Sequence, residues 1–221
     1  MEIAQQEMRL LLEEARRYLH GRTLSLLLKD LPEHHAPRWH VHGLLGHMHN
    51  VIVAAKRLSD RTKIDVVSAA AFHDIGKIHQ FPKALRAFEA GQDSGDAYVA
   101  HEQLSATIAQ RNKLGKLRCA IIGAHQHAYN QAKPATILKK VGCTPGQDLI
   151  GLKCWMVLCA ADAVGKGFTP DQILQRPLVA EKFRELADIA CMRSGDRTLS
   201  LCCEAVESWE PISRDQLPKF R

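Results

Sequence analysis

Apolar side chains recur three and four positions apart along nearly the whole chain, and few stretches alternate apolar with polar residues. A chain patterned this way buries its apolar surface by packing helix on helix, so the pattern predicts an all-α fold. Ile3, Met8, Leu11, Leu12, Ala15 and Leu19 trace one face of a first helix that Gly21 would stop, and a short second helix runs to about Leu31. The segment PEHHAPRWHVHG at 32–43 has two prolines and no helical period, which makes it a loop. Further helices are predicted over 44–58, 65–79, 99–114, 117–129 and 149–164, with a turn at GQDSGD and breaks at Pro134 and at VGCTPGQD. Beyond them helical patches alternate with polar turns.

With 221 residues the chain accommodates one large domain at roughly 100 to 200 residues each. The expected division is 1–36 as N-terminal helices packing on a core, 37–168 as that core, and 169–221 as a helical extension of it. The longest apolar stretches, Val66 to Phe72 and Trp155 to Ala161, fall short of the roughly 18 to 20 residues of a membrane span. The first twenty residues carry acidic side chains and helix-spaced leucines where a secretory signal has a basic start and a continuous apolar run. Seven cysteines, with no CxxC pair among them, read as reduced apolar residues. Together these features predict a cytoplasmic protein with no membrane partner. The net charge of +6 favours phosphate-bearing ligands.

Histidine is the outlying residue. All twelve except His20 lie between His34 and His127. Five successive segments each place a histidine or carboxylate in apolar surroundings: His47, His73 with Asp74, His101, His125 and Asp162, spaced 26, 28, 24 and 37 residues apart when counted through His73. One ligand per helix is what a metal site inside a bundle requires, because a single helix cannot surround an ion. The contexts AAAFHDIG and VLCAADAVG would bury Asp74 and Asp162, and buried carboxylates call for a compensating cation.

These residues form an H…HD…D pattern, accompanied by HDIGK at 73–77, PRWH at 37–40, AHEQLSA around His101 and AADAVGKG around Asp162. The pattern resembles the HD superfamily of metal-dependent phosphohydrolases, and its flanks look most like the HD domain of bacterial CCA-adding enzymes, over about Pro37 to Gly167. The nucleotidyltransferase part of those enzymes has no counterpart here, so the resemblance implies phosphohydrolase activity without tRNA tailing. It also implies a second ion, served by His101 with His125 or His127, and it places Lys77 where some members carry a catalytic glutamate.

Helix geometry bears on the same residues. On one continuous helix His73, Asp74 and Lys77 share a face, and Gly76 leaves room for a ligand. His49 lies about 200° round the helix from His47 and cannot serve the same ion. The argument applies equally to His125 and His127, and His125 is the favoured ligand. Lys166, four residues after Asp162, could meet phosphate or pair with Asp162; His40 and His127 are further candidates for binding substrate. A nitrogen-rich set with two carboxylates suits one or two Mn, Fe, Co, Ni or Zn ions, with Asp74 as the bridge. Asp74 and Lys77 would be the catalytic pair, Lys77 stabilising charge that develops on phosphate.

The expected substrate is a phosphomonoester or phosphodiester of a nucleotide or RNA end. Two other readings are an HD-type di-iron oxygenase, which uses a similar six-ligand set, and a non-catalytic regulatory or nucleic-acid-binding HD module.

Overall fold

The computed structural model describes residues 2–35, 40–167, 170–210 and 217–220, without the side chains of 2, 3 and 170–173. Among the described residues it is all-α: α1 (Glu2–Tyr18), α2 (Gly21–Lys29), α3 (Leu44–Thr62), α4 (Val67–Phe72), α5 (Ile75–Glu89), α6 (His101–Arg111), α7 (Lys116–Ala124), α8 (Pro134–Lys140), α9 (Ile150–Gly165), α10 (Pro170–Ile189) and α11 (Arg197–Ser208). Short 3-10 turns cover Pro32–His34, Ser94–Tyr98 and His125–Ala128. Pro37, Arg38 and Trp39 of the PRWH motif, both expected domain boundaries, and part of the C-terminal RDQLPKFR segment lie outside the described residues.

The apolar α9, buried over most of its length from Gly151 to Gly165, is the central helix. Helices α3, α7, α10 and α11 pack around it. Its approach to α3 is close: a methyl group on Gly165 would collide with Val51, so glycine lets Asp162 and His47 face each other. Trp155 and Phe183 meet edge-on with ring centroids 5.8 Å apart and tie α9 to α10. No described helix is long and apolar enough to cross a membrane. All seven cysteines are free, and Cys154, Cys159, Cys202 and Cys203 are buried.

Several predicted boundaries move. Gly21 does not stop α1; it opens α2 after a break at Leu19 and His20. The loop at 32–43 contains a 3-10 turn, and Pro134 starts α8 instead of only breaking the chain, because the first turn of a helix needs no proline N–H. The helix predicted over 65–79 is two helices, α4 and α5, interrupted at the His73-Asp74 doublet. Asp74 has φ −113° and ψ 11°, in the sparsely populated bridge region, which ends one helix and starts the next.

Candidate metal centre

The doublet is held at this interruption. The His73 ring donates Nδ1–H to the carbonyl of Ala70 at 2.7 Å, which leaves Nε2 with its lone pair turned inward. His101 does the same to Tyr98 at 2.8 Å and His125 to Ile122 at 2.7 Å. In each case a carbonyl three residues earlier sets the tautomer. His47 stands one turn into α3, whose first turn is anchored from α2: the Asp30 carboxylate accepts hydrogen bonds from the Leu45 and Gly46 amides at 2.8 and 2.7 Å. His125 is fixed from α9, since the Trp155 indole donates to the Ala124 carbonyl at 2.9 Å and the Cys159 thiol to the His125 carbonyl at 3.6 Å.

These anchors direct six buried side chains to one place. His47 Nε2 lies 3.2 Å from His73 Nε2, 3.2 Å from Asp162 Oδ1 and 3.3 Å from Asp74 Oδ2. On the far side of the same carboxylate, Asp74 Oδ1 lies 3.0 Å from His101 Nε2 and 3.5 Å from His125 Nε2. Two three-residue groups able to hold a cation result, His47–His73–Asp162 and Asp74–His101–His125, each with its donor atoms within 4.8 Å of one another. A third such group, His40–His47–Asp74, is already served by a cation of the protein: the Lys77 ammonium donates to Asp74 Oδ2 at 2.7 Å and meets His40 Nε2 at 3.0 Å.

The residues fit a metal ion. Asp74 Oδ1 and both oxygens of Asp162 are buried without a hydrogen bond, although the Lys166 ammonium pairs with Asp162 Oδ2 at 3.4 Å; for the two Oδ1 atoms the arrangement costs free energy unless something positive completes it. The ionisation states agree. Burial pushes both carboxyls up, but Lys77, His73 and His101 hold Asp74 well below the usual carboxylate range, and Lys166, His47 and His73 do the same for Asp162. Burial lowers His73, His101 and His40, with Lys77 adding to the effect on His40 and His101. His47 goes the other way, because Asp162 and Asp74 outweigh its burial and draw positive charge onto the ring. That charge is what a divalent cation would supply between the same atoms.

A cavity of about 500 Å³ opens on the cluster, lined by His40, Lys77, His101, Gln126, Tyr129 and Lys166 and by the exposed Asp93 and Asp96. Lys77 is 5% exposed, so it is no free surface lysine. Lys166 Nζ lies 3.4 Å from Asp162 Oδ2 and 3.2 Å from the centre of the Tyr129 ring, which combines an ion pair with a cation–π contact.

Three expectations change here. Gly76 leaves no space for a ligand: a methyl group there would collide with the His101 carbonyl, and its amide donates to Ser105 Oγ at 2.9 Å, so the glycine admits α6. The helix predicted over 117–129 ends at Ala124, and His125 and His127 belong to a 3-10 turn. At three residues per turn two neighbours-but-one still diverge by about 240°, so the rings part. His127 faces Asn130 at 3.3 Å and Lys140 at 2.9 Å and does not line the cavity. Gln126 and Tyr129 carry no motif in the sequence; the only signal for Gln126 is its place between two histidines.

Residues 44–153 match the family model described as HD domain, which supports the likeness of this stretch to the HD superfamily. It spans α3 to the start of α9 and includes His47, His73, Asp74, His101 and His125. HD domains are mostly metal-dependent hydrolases. No curated protein and no solved structure matches the chain.

Proposed function

We propose that this protein is a metal-dependent phosphohydrolase that cleaves phosphomonoester or phosphodiester bonds of nucleotides or RNA ends. The observation that carries the reading is that two buried ammonium groups, Lys77 and Lys166, stand against the six-residue ligand set, 2.7 Å from Asp74 Oδ2 and 3.4 Å from Asp162 Oδ2, and line a cavity together with His101 of that set. His47, His73, Asp74 and Asp162 would hold one divalent cation, and Asp74, His101 and His125 a second. Such a cation lowers the pKa of water and polarises a phosphoryl oxygen. Lys77 and Lys166 orient an anionic phosphate and oppose the charge that builds on its oxygens as water adds to phosphorus and the ester oxygen leaves. His40, with Nδ1 engaged by the His35 carbonyl at 2.7 Å, turns Nε2 to Lys77 and steadies that ammonium. The apolar helices around the cluster keep bulk water away from these charges, which strengthens each interaction.

The likeness of the flanking motifs to the HD domain of CCA-adding enzymes makes 2',3'-cyclic nucleotides and nucleoside monophosphates the first substrates to test. Protein purified without added ions, assayed against these compounds and a generic phosphodiester, should turn over at least one class and stop when chelated. Metal-loaded protein with no phosphohydrolase activity would overturn the proposal. Oxygen consumption by iron-loaded protein would favour the di-iron oxygenase reading instead, and neither activity would leave a regulatory or nucleic-acid-binding module.

A further inference from the structure

Gln126 stands between the two histidines of the second ligand group. Its carboxamide nitrogen lies 3.3 Å from His101 Nε2 and 3.1 Å from His125 Nε2. Both rings give their Nδ1 hydrogens to backbone carbonyls, so each Nε2 is an acceptor, and one NH2 group donates a hydrogen to each. The amide therefore occupies the two lone pairs that an ion in this locus would use. It does not answer Asp74 Oδ1, which closes the third corner and has no hydrogen bond. In the His47–His73–Asp162 group, no carboxamide reaches the ligand atoms among the described residues.

We infer that Gln126 is a plug for the second metal locus. It is a positioning residue whose amide holds His101 and His125 in the absence of the second ion and competes with that ion for them. The consequence is an asymmetric centre, with one ion bound firmly and the other weakly and exchangeably. When the second ion enters, two N–H···N hydrogen bonds give way to two coordinate bonds, and the amide turns into the cavity that Gln126 already lines. The inference rests on the metal-centre reading but not on the reaction catalysed.

Calorimetric titration of chelator-stripped, full-length protein with Mn²⁺ tests it without reference to activity. Wild type is expected to show a tight first step and a weaker second one, or the first alone. In Gln126→Ala the second step should appear or tighten by about tenfold or more, as removal of two competing hydrogen bonds implies, with the first step unchanged. Should that variant not fold, as judged by circular dichroism, Gln126→Leu carries the same test, since it keeps bulk without a hydrogen to donate. A second step that stays absent, unchanged or weaker in the folded variant overturns the plug while the first ion remains bound. Protein that takes up no ion at all overturns the metal-centre reading, and the plug with it.

Discussion

Asp74 and His101 meet on the opposite oxygen from the one that Asp74 turns to His47: Oδ1 to His101 Nε2 is 3.0 Å, and Oδ2 to His47 Nε2 is 3.3 Å. One carboxylate thus joins the ligands of α3 to those beyond α5. Asp74→Ala is expected to remove both ions and all turnover. It also strands the buried Lys77 ammonium, at a cost of about 3–5 kcal/mol for a broken buried pair. The double variant Asp74→Ala/Lys77→Met separates the two effects. It should regain stability in denaturant titrations and still bind no metal; regained metal content would show that Asp74 serves only to balance Lys77.

Lys77 offers hydrogens and no lone pair while protonated, so it cannot be a ligand. Lys77→Ala is expected to keep its metal and to lose about 10² or more in kcat, the scale of one transition-state charge contact. Metal analysis beside steady-state kinetics decides the matter. Wild-type kinetics in this variant would leave the phosphate to Lys166.

Gly76 couples the doublet to α6. Gly76→Ala pushes a methyl group at the His101 carbonyl and at Ser105, displacing His101 from Asp74. Overpacking of this kind costs about 1–3 kcal/mol. The expected result is loss of the second ion with retention of the first, read by metal stoichiometry. An unperturbed stoichiometry would mean that α6 does not depend on this close approach.

His35 makes the metal-free protein acid-sensitive. Its ring faces the Tyr98 hydroxyl at 3.3 Å, Asp30 Oδ1 at 3.8 Å and a stacked Phe81 at 4.7 Å. Burial, with help from His34 and Lys77, lowers its pKa from 6.5 to about 3. The unfolded chain therefore binds a proton that the folded chain refuses. Stability from this group is complete above pH 6.5 and declines as pH falls toward about 3, by up to about 1.4 kcal/mol per pH unit. The neutral, buried His40, His73 and His101 add to the same slope, so the contribution of His35 is read as a difference. Between pH 6 and 5, His35→Phe should lose stability less steeply than wild type by about one proton; equal slopes would contradict the assignment.

The helical class was legible because period and polarity are local properties of sequence. The cluster was partly legible for a similar reason: His47, Asp74 and Asp162 are polar residues set in apolar stretches of sequence, and the structure brings them together. What sequence withheld depends on distant contacts. The interruption at Asp74 forms against α6, some thirty residues later, and Gly76 reads as open space until that helix is in place. The turn carrying His125 is pinned by Trp155 and Cys159 of α9, which no periodicity in GAHQHAY discloses. His40 meets Lys77 across 37 positions of sequence, a contact that no local pattern announces.

Anomalous diffraction at the metal edge, from crystals of protein purified without added ions and then soaked in Mn²⁺, tests the shared carboxylate most directly. The expected result is a strong peak among His47, His73, Asp74 and Asp162 and a weaker one among Asp74, His101 and His125, with Asp74 touching both. Peaks elsewhere, or none within reach of Asp74, would contradict the account of this site.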